Sequence, residues 1–450
     1  RAKSLWIFSV QLDFTINQIF YLYRVYKSIL SEPVLRGLSD IPAGAFPKPA
    51  ARRRSALPKG QEKQHTQDGR LRLNRTIKVP LYPTPEQAEL FEKTFGCCRY
   101  IWNRILADAE EFYAATDKHF LPTPAKYKKE APFLQEVDSQ ALCSVHQSLR
   151  RAFQNFFQHP DQYGYPSYKR KKAQKNSYTT FCQYLKSGPT LYLVKDGVRL
   201  PKIGVVRARL YRKPLHWWVL KSAVVSKTPS GRYFCSLQYE YDEKAPQPAV
   251  PTPETTLGLN YSIPHFYVDS NGQTADPPHW LRQSEKKIAL MQRRLSRMRP
   301  DSKNYQEQRR KIQLLHEHIA NQRKDFIHKE SRRIANAWNA VCVRESDLRE
   351  ASREIKLGNV MDAGFGRFRL CLQYKLARQG KPYITVGADF PSAKRCHVCG
   401  HVNDALTKQD RVWVCPACGT VLKRAENGAI NIRAQGLSQL ALGGPTPAID

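Results

Sequence analysis

Cys396-His-Val-Cys399 and Cys415-Pro-Ala-Cys418 are two Cys-x-x-Cys pairs with fifteen residues between them. Four thiolates at that spacing match a zinc ribbon, in which each pair grips one side of a tetrahedral ion. Gly400 and Gly419 follow the pairs and free the backbone for the tight turn under the metal. A redox dithiol needs one pair only, so the second pair argues against that chemistry. Four sulfurs leave no open coordination position for water, so the expected role of Zn2+ is structural. The remaining cysteines, Cys97, Cys98, Cys143, Cys182, Cys235, Cys342 and Cys371, are scattered and odd in number. That suits a reducing cytoplasm, not a disulfide framework.

The second chemistry is phosphate binding. Lys and Arg number 73 against 39 Asp and Glu, a formal charge of +34. A chain that basic is usually held against polyanions, with nucleic acid the leading class. A membrane surface would call for a basic amphipathic anchor rather than charge spread over the whole chain. There is no run of 18 apolar residues, so no transmembrane helix is expected. Tyr163-Gly-Tyr-Pro-Ser-Tyr-Lys-Arg-Lys-Lys172 interleaves rings for base stacking with cations for phosphates. The alternative for that stretch is a solvated basic loop.

Positioning these groups requires several elements, and 450 residues at 41 % hydrophobic content suffice for two to four cored domains. A strand is expected from Leu73. Thr84 then suits a helix N-cap, Pro85 the first turn and Gln87 the reciprocal capping-box partner. Leu90, Phe91, Thr94, Cys98, Ile101, Trp102, Ile105 and Leu106 repeat at helical spacing, with Arg99, Asn103 and Arg104 opposite. A second helix follows Asp138-Ser139. Residues 178–242 read as β structure, with Asp196-Gly197 a hairpin signal and Tyr233, Cys235, Leu237, Tyr239 and Tyr241 on one face. This predicts a small antiparallel barrel or sheet. Pro246–Pro253 is an extended linker. Beyond it come strands at Thr255–Tyr261, 265–272, 340–343 and 383–386, a long basic helical hairpin over 284–338 and a helix over 365–376. That alternation predicts a mixed α/β layer, interrupted by the ribbon and closed by a helix over 426–436.

The first seventy residues read differently. The chain begins with Arg1, and its methionines are Met291, Met298 and Met361. Residues 1–70 are therefore expected to be upstream reading frame or a dispensable arm, with residues 42–70 disordered in composition. The functional alternative is a basic nucleic-acid arm around Arg52-Arg53-Arg54.

Several of these stretches together resemble the transposon-encoded TnpB (OrfB) family, related to the type V CRISPR effectors, over about residues 73–436. The carriers are Tyr82-Pro-Thr-Pro-Glu-Gln87, Phe95-Gly-Cys-Cys-Arg-Tyr-Ile-Trp-Asn-Arg104, Asp325-Phe-Ile-His-Lys-Glu-Ser331, Asp362-Ala-Gly-Phe-Gly-Arg-Phe368, Gln373-Tyr-Lys375, Phe390-Pro-Ser-Ala-Lys-Arg-Cys396, the ribbon and Asn427-Gly-Ala-Ile-Asn-Ile432. The resemblance implies a multidomain α+β chain. A wedge β-barrel would span 73–83 plus 176–250 and a helical recognition lobe 84–175. An RNase H-like (RuvC) domain would span 251–390 plus 421–436, with the zinc ribbon at 391–420. Residues 1–72 and 437–450 would be an extension and a tail. The implied partners are a guide RNA and a double-stranded DNA target beside a short flanking motif, in a prokaryotic cytoplasm at the nucleoid. Base pairing would read sequence while the protein holds backbones. Candidate contacts are Tyr82, Arg99, Tyr100, Asn103, Arg104, Tyr168, Lys169, Arg170, Lys171, Lys172, Arg293, Arg294, Arg297, His328, Lys329, Arg332, Lys394 and Arg395.

Family members cut DNA with three carboxylates that hold two Mg2+. The resemblance aligns those acids with Asn260 in Gly258-Leu259-Asn260, Arg344 after the buried strand, and Ala425 in Arg424-Ala425-Glu426-Asn427. Each lost charge forfeits about 4 kcal/mol of attraction per unit of metal charge at ~4 Å and an effective dielectric near 20. The expectation is therefore a nuclease-dead member that binds target DNA and represses transcription, without Mg2+. One alternative is an active endonuclease with rearranged carboxylates, drawing on Glu345 or Asp347 and on Glu426. Others are a transposon accessory DNA-binding protein that needs no RNA and the idle product of a decaying element.

Overall fold

The computed structural model describes residues 70–171, 176–262, 265–276, 280–345, 364–407 and 409–442. The N-terminal arm, Lys172, Asp347, the start of the Asp362–Phe368 motif and the last eight residues lie outside the described residues. Among the described residues no helix is long and apolar enough to cross a membrane.

Strand β1 (Arg70–Tyr82) opens the described chain, three residues ahead of the expected start. Thr84 then caps α1 (Pro85–Thr116), with both arms of the capping box formed: Gln87 N donates to Thr84 Oγ1 and Thr84 N to Gln87 Oε1. Asp138 caps α2 (Ser139–Gln158) through Gln140 N. The strands that follow are β2 (Asn176–Phe181), the small pair β3 (Tyr184–Leu185) and β4 (Gly188–Pro189), β5 (Tyr192–Val194), β6 (Gly197–Leu200), β7 (Gly204–Ala208), β8 (Val219–Lys227) and β9 (Tyr233–Lys244). Gly197 begins β6 rather than sitting in the turn. A Cβ there would lie 2.6 Å from the Val206 carbonyl, so the close strand approach requires glycine.

The barrel expectation is corrected by the sheet. Its order is β2-β8-β9-β1-β7-β6-β5, and no pairing joins β2 to β5, so it is open among the described residues. Helices cover the apolar face instead of closure. Phe91, Phe95 and Ile101 of α1 and Leu142 and Leu149 of α2 share one core with Tyr178, Cys235 and Leu237 of the sheet. The Tyr233-Cys235-Leu237-Tyr239-Tyr241 alternation faces that core, as the period of two predicts.

The second lobe is a five-stranded sheet of order β12-β11-β10-β13-β14. Here β10 (Thr256–Tyr261), β11 (Tyr267–Asp269) and β12 (Thr274–Ala275) are antiparallel, while β13 (Ala340–Arg344) and β14 (Tyr383–Val386) run parallel to β10. The helical hairpin α3 (Trp280–Ser296) and α4 (Lys303–Ala337) leads into β13, and α5 (Phe365–Ala377) precedes β14. On one face Leu257, Leu259, Val341 and Val343 meet Ile327 and Ile334 of α4 and Phe368 and Leu372 of α5. On the other face lies α6 (Arg424–Ala441), whose Ile432 packs with Ala340, Cys342, Ile384 and Val386. Antiparallel strands first, then parallel strands, with helices on both faces, form a RuvC-like α/β layer.

Helix α6 comes unusually close to the sheet because glycine occupies the crossing points. A Cβ at Gly258 would sit 2.1 Å from the Ala429 carbonyl, and one at Gly436 would sit 2.3 Å from Cys342 Sγ. Between the lobes, Glu317 of α4 accepts from Ser230 Oγ at 2.6 Å and pairs with Arg232 at 2.7 Å. Burial opposes its ionisation, but those two partners hold the carboxyl below its ordinary range. Gly258→Ala is expected to destabilise the second lobe by about 1–3 kcal/mol through overpacking against α6. Thermal unfolding checks this, and an unchanged Tm would contradict the close crossing.

Candidate functional site

The three positions expected to match metal-binding acids come together at one end of the second sheet. Leu259 pairs with Val343 on the neighbouring parallel strand, which sets Asn260 and Arg344 side by side at the carboxyl ends of β10 and β13. Strand alternation turns both toward α6, because Gly258 and Cys342 two residues earlier already face it. Ala425 lies in the first turn of α6. Asn260 Nδ2 donates to the Ala425 carbonyl at 2.9 Å. Gly428, one turn along, leaves room for that amide, since a Cβ there would lie 2.7 Å from Asn260 Nδ2.

Arg344 leans the other way, toward the loop after β14, and donates through Nη2 to the Ala388 carbonyl. Its Nε is buried with no acceptor among the described residues. Burial lowers its pKa, with Asp389 pulling in the opposite direction. Neither fallback acid in the described chain joins this group. Glu345 is exposed beyond the strand end, its backbone N–H bound to the Val386 carbonyl. Glu426 lies against Gly272 of the β11–β12 turn and pairs with Lys423 at 3.8 Å.

The four ribbon cysteines form one cluster, their sulfurs all within 4.8 Å of one another. Cys396 and Cys418 Sγ are 3.7 Å apart, and Cys399 and Cys415 are 3.5 Å apart. Tetrahedral zinc with Zn–S near 2.3 Å places sulfurs about 3.8 Å apart, so the set fits that ion. Both knuckles are built alike. Gly400 N bonds the Cys396 carbonyl and Gly419 N bonds that of Cys415, and both glycines have positive φ, 79° and 72°. Strands β15 (Val412–Val414) and β16 (Val421–Lys423) pair behind the second knuckle. The ribbon is tied to the sheet domain by two buried amides on successive turns of α6. Asn427 accepts from His397 N and donates to the Arg395 carbonyl, while Asn431 donates to the Ser392 and Arg395 carbonyls. Reading Asn427 and Asn431 as motif letters missed this role, although their spacing of four on one helix face was the available signal.

Of the expected nucleic-acid contacts, several serve the fold. Asn103 makes two hydrogen bonds to the Lys169 backbone, Trp102 Nε1 donates to the Ser167 carbonyl, and the Lys169 ammonium lies 3.6 Å from the Trp102 ring centroid. Tyr168 donates to Glu110 at 2.5 Å. These bonds fasten the 165–171 stretch along α1, leaving Arg170 and Lys171 exposed. Arg99 is half-buried, Arg104 pairs with Asp108, and Tyr100 is exposed edge-on to Phe133. Tyr82 is exposed at the end of β1 beside Arg207 of β7, an arginine the sequence reading did not single out. Arg293, Arg294 and Arg297 are exposed at the end of the hairpin's first helix, and Arg332 is exposed on its second. Lys329 pairs with Asp325, and Lys394 lies 3.7 Å from Asp404. His328 gives its carbonyl to the buried Lys375. Burial, then Lys375, Lys324 and Arg367, lower the His328 pKa. Arg395 offers its carbonyl to the α6 asparagines, leaving its side chain outward.

Two outcomes are expected. Thiol-specific titration with mercurial should release one zinc per chain, and Cys415→Ser should abolish retention; a metal-free native protein would contradict the ribbon. Asn260→Asp sets a carboxylate against the Ala425 carbonyl and should cost about 1–3 kcal/mol in chemical denaturation. An unchanged midpoint would show that the amide bond carries no stability.

The comparisons with known proteins agree with this architecture. Residues 236–353 match the OrfB_IS605 profile, described as "Probable transposase", and residues 365–432 match the Cas12f1-like TNB domain. Residues 73–118 match a profile described as a helix-turn-helix domain, although the structure there is β1 followed by the single helix α1. A Streptomyces pristinaespiralis protein is 32 % identical over 381 residues, spanning 82 % of this chain and 91 % of its own length. An Escherichia coli K12 protein is 28 % identical over 393 residues, spanning 82 % and 94 %. Both carry the name "Putative RNA-guided DNA endonuclease", the second with the suffix InsQ. The fold matches a solved Cas12f1–sgRNA–target DNA complex with a TM-score of 0.53 at 11 % identity, covering 80 % of this chain and 99 % of that one. With these relatives and the ribbon-bearing α/β layer together, the chain belongs to the TnpB (OrfB) family of RNA-guided DNA endonucleases.

Proposed function

We propose that this chain is an RNA-guided DNA-binding protein whose RuvC cleft holds target DNA without cutting it, and that its occupancy blocks transcription. The observation that carries this reading is the convergence of Asn260, Arg344 and Ala425 at the carboxyl ends of β10 and β13. Two-metal hydrolysis needs oxygen ligands with negative charge at those points. An amide aimed at a backbone carbonyl, a guanidinium and a methyl group stand there instead. Mg2+ sheds its waters reluctantly and gains nothing from such a set, so the residues do not fit the metal pair.

The rest of the molecule supports binding. The formal charge of +34 remains for phosphate backbones, and Arg170, Lys171, Arg293, Arg294, Arg297 and Arg332 are exposed. The solved Cas12f1 complex holds an sgRNA and a target DNA, and the two relatives are named as RNA-guided DNA endonucleases. In this reading a guide RNA and a duplex target with a short flanking motif are the partners here. The open sheet of 73–83 plus 176–250 and the helices of 84–175 hold RNA and flank. Zinc in the ribbon is structural.

The test is plasmid cleavage with Mg2+ by protein purified with its copurifying RNA, against a target matched to the 3′ segment of that RNA. Binding without nicking is expected, and nicking by the unmodified chain would defeat the proposal. The triple variant Asn260→Asp, Arg344→Glu, Ala425→Asp should regain divalent-metal binding, read by Mn2+ titration.

A further inference from the structure

We propose that Arg344 makes the cleft at the ends of β10 and β13 a direct binding site for a phosphodiester of the DNA strand. This rests on the reading above, in which a DNA strand enters the cleft uncut. In a metal-using arrangement the strand would be held through cations. Here the protein supplies the positive charge itself.

Three observations carry the assignment. The first is position. Arg344 and Asn260 occupy neighbouring positions on parallel strands about 4.8 Å apart, with the Arg344 side chain reaching to the Ala388 carbonyl, at the strand ends where α/β sheets place their ligands. The second is an unanswered charge. Among the described residues Arg344 reaches one acceptor, the Ala388 carbonyl, and no carboxylate lies within the 4.0 Å of an ion pair. Its Nε is buried and unpartnered. Asp389 acts on it only at longer range, and burial shifts its pKa downward. A half-buried cation without an anion is costly to keep, and the planar guanidinium fork matches two oxygens of a phosphate. The third is the surroundings. Lys423 is 78 % exposed at the start of α6, and Glu426, an acid of the same turn, is drawn to Lys423 and against Gly272 rather than to Arg344. Arg424 of the same turn donates to the Thr407 carbonyl, so its guanidinium is engaged there.

The test titrates fluorescein-labelled dT20 onto the RNA-loaded protein across a salt series. Arg344→Gln should weaken binding about tenfold at 0.1 M salt and reduce the slope of log K against log salt by about 0.7, one phosphate contact on a single strand. Arg344→Lys should keep the slope. Unchanged affinity and slope in Arg344→Gln would overturn the proposal. So would equal loss in both variants together with a fall in Tm, which would make the arginine only a strut to Ala388. Failure of the underlying reading would be seen in the unmodified protein alone, as strand cutting, and needs no Arg344 variant to detect.

Discussion

The close crossing of α6 over the second sheet is the constraint on which the functional end of the molecule depends. Glycine at 258, 428 and 436 removes the side chains that would hold helix and sheet apart. Close packing then sets the sheet backbone at Gly258 against the α6 backbone, and the α6 backbone at Gly428 and Gly436 against the Asn260 and Cys342 side chains. That nearness brings the Ala425 carbonyl within reach of the short Asn260 side chain. The same helix delivers Asn427, in its first turn, and Asn431, one turn further on, to the carbonyls of residues 392 and 395. One rigid element thus fixes the cleft and hangs the ribbon beside it.

The chemistry of the cleft follows from what those positions now offer. Asn260 contributes a donor, and that donor is already committed to a carbonyl. Arg344 contributes a permanent cation with one backbone acceptor and no described carboxylate partner. A cation-collecting centre has no charge basis with this set, whereas an anion has one. The same sign runs through the chain at large, where the basic excess faces solvent along α3 and α4. Electrostatics of one sign at both scales favours contact with a polyanion.

The legible parts of the sequence were those in which a few neighbouring residues carry the whole signal. Thr84 and Gln87 closed their capping box, Asp138 capped its helix, and Gly400 and Gly419 took positive φ beneath the ribbon sulfurs. The barrel was not legible. Alternation at Tyr233–Tyr241 says that one face is buried, but is silent about whether helices or a closed sheet bury it. Nor was the use of Asn103, Tyr168 and Lys169 legible. Their types suit nucleic acid, yet α1 and the 165–171 stretch consume them internally.

The sequence by itself determined the cysteine spacing of the ribbon, the helix starts and the strand faces, because each is a matter of residue type at short spacing. Only the tertiary structure decided that residues 260, 344 and 425 meet, since a parallel register between β10 and β13 and a glycine-lined helix crossing are agreements between segments far apart in the chain. It also decided that Asn260 is a bonded amide and that Arg344 stands half-buried with no ion pair among the described residues. Hydrogen-bond partners and desolvation belong to the packed environment, and neither is encoded at the position alone.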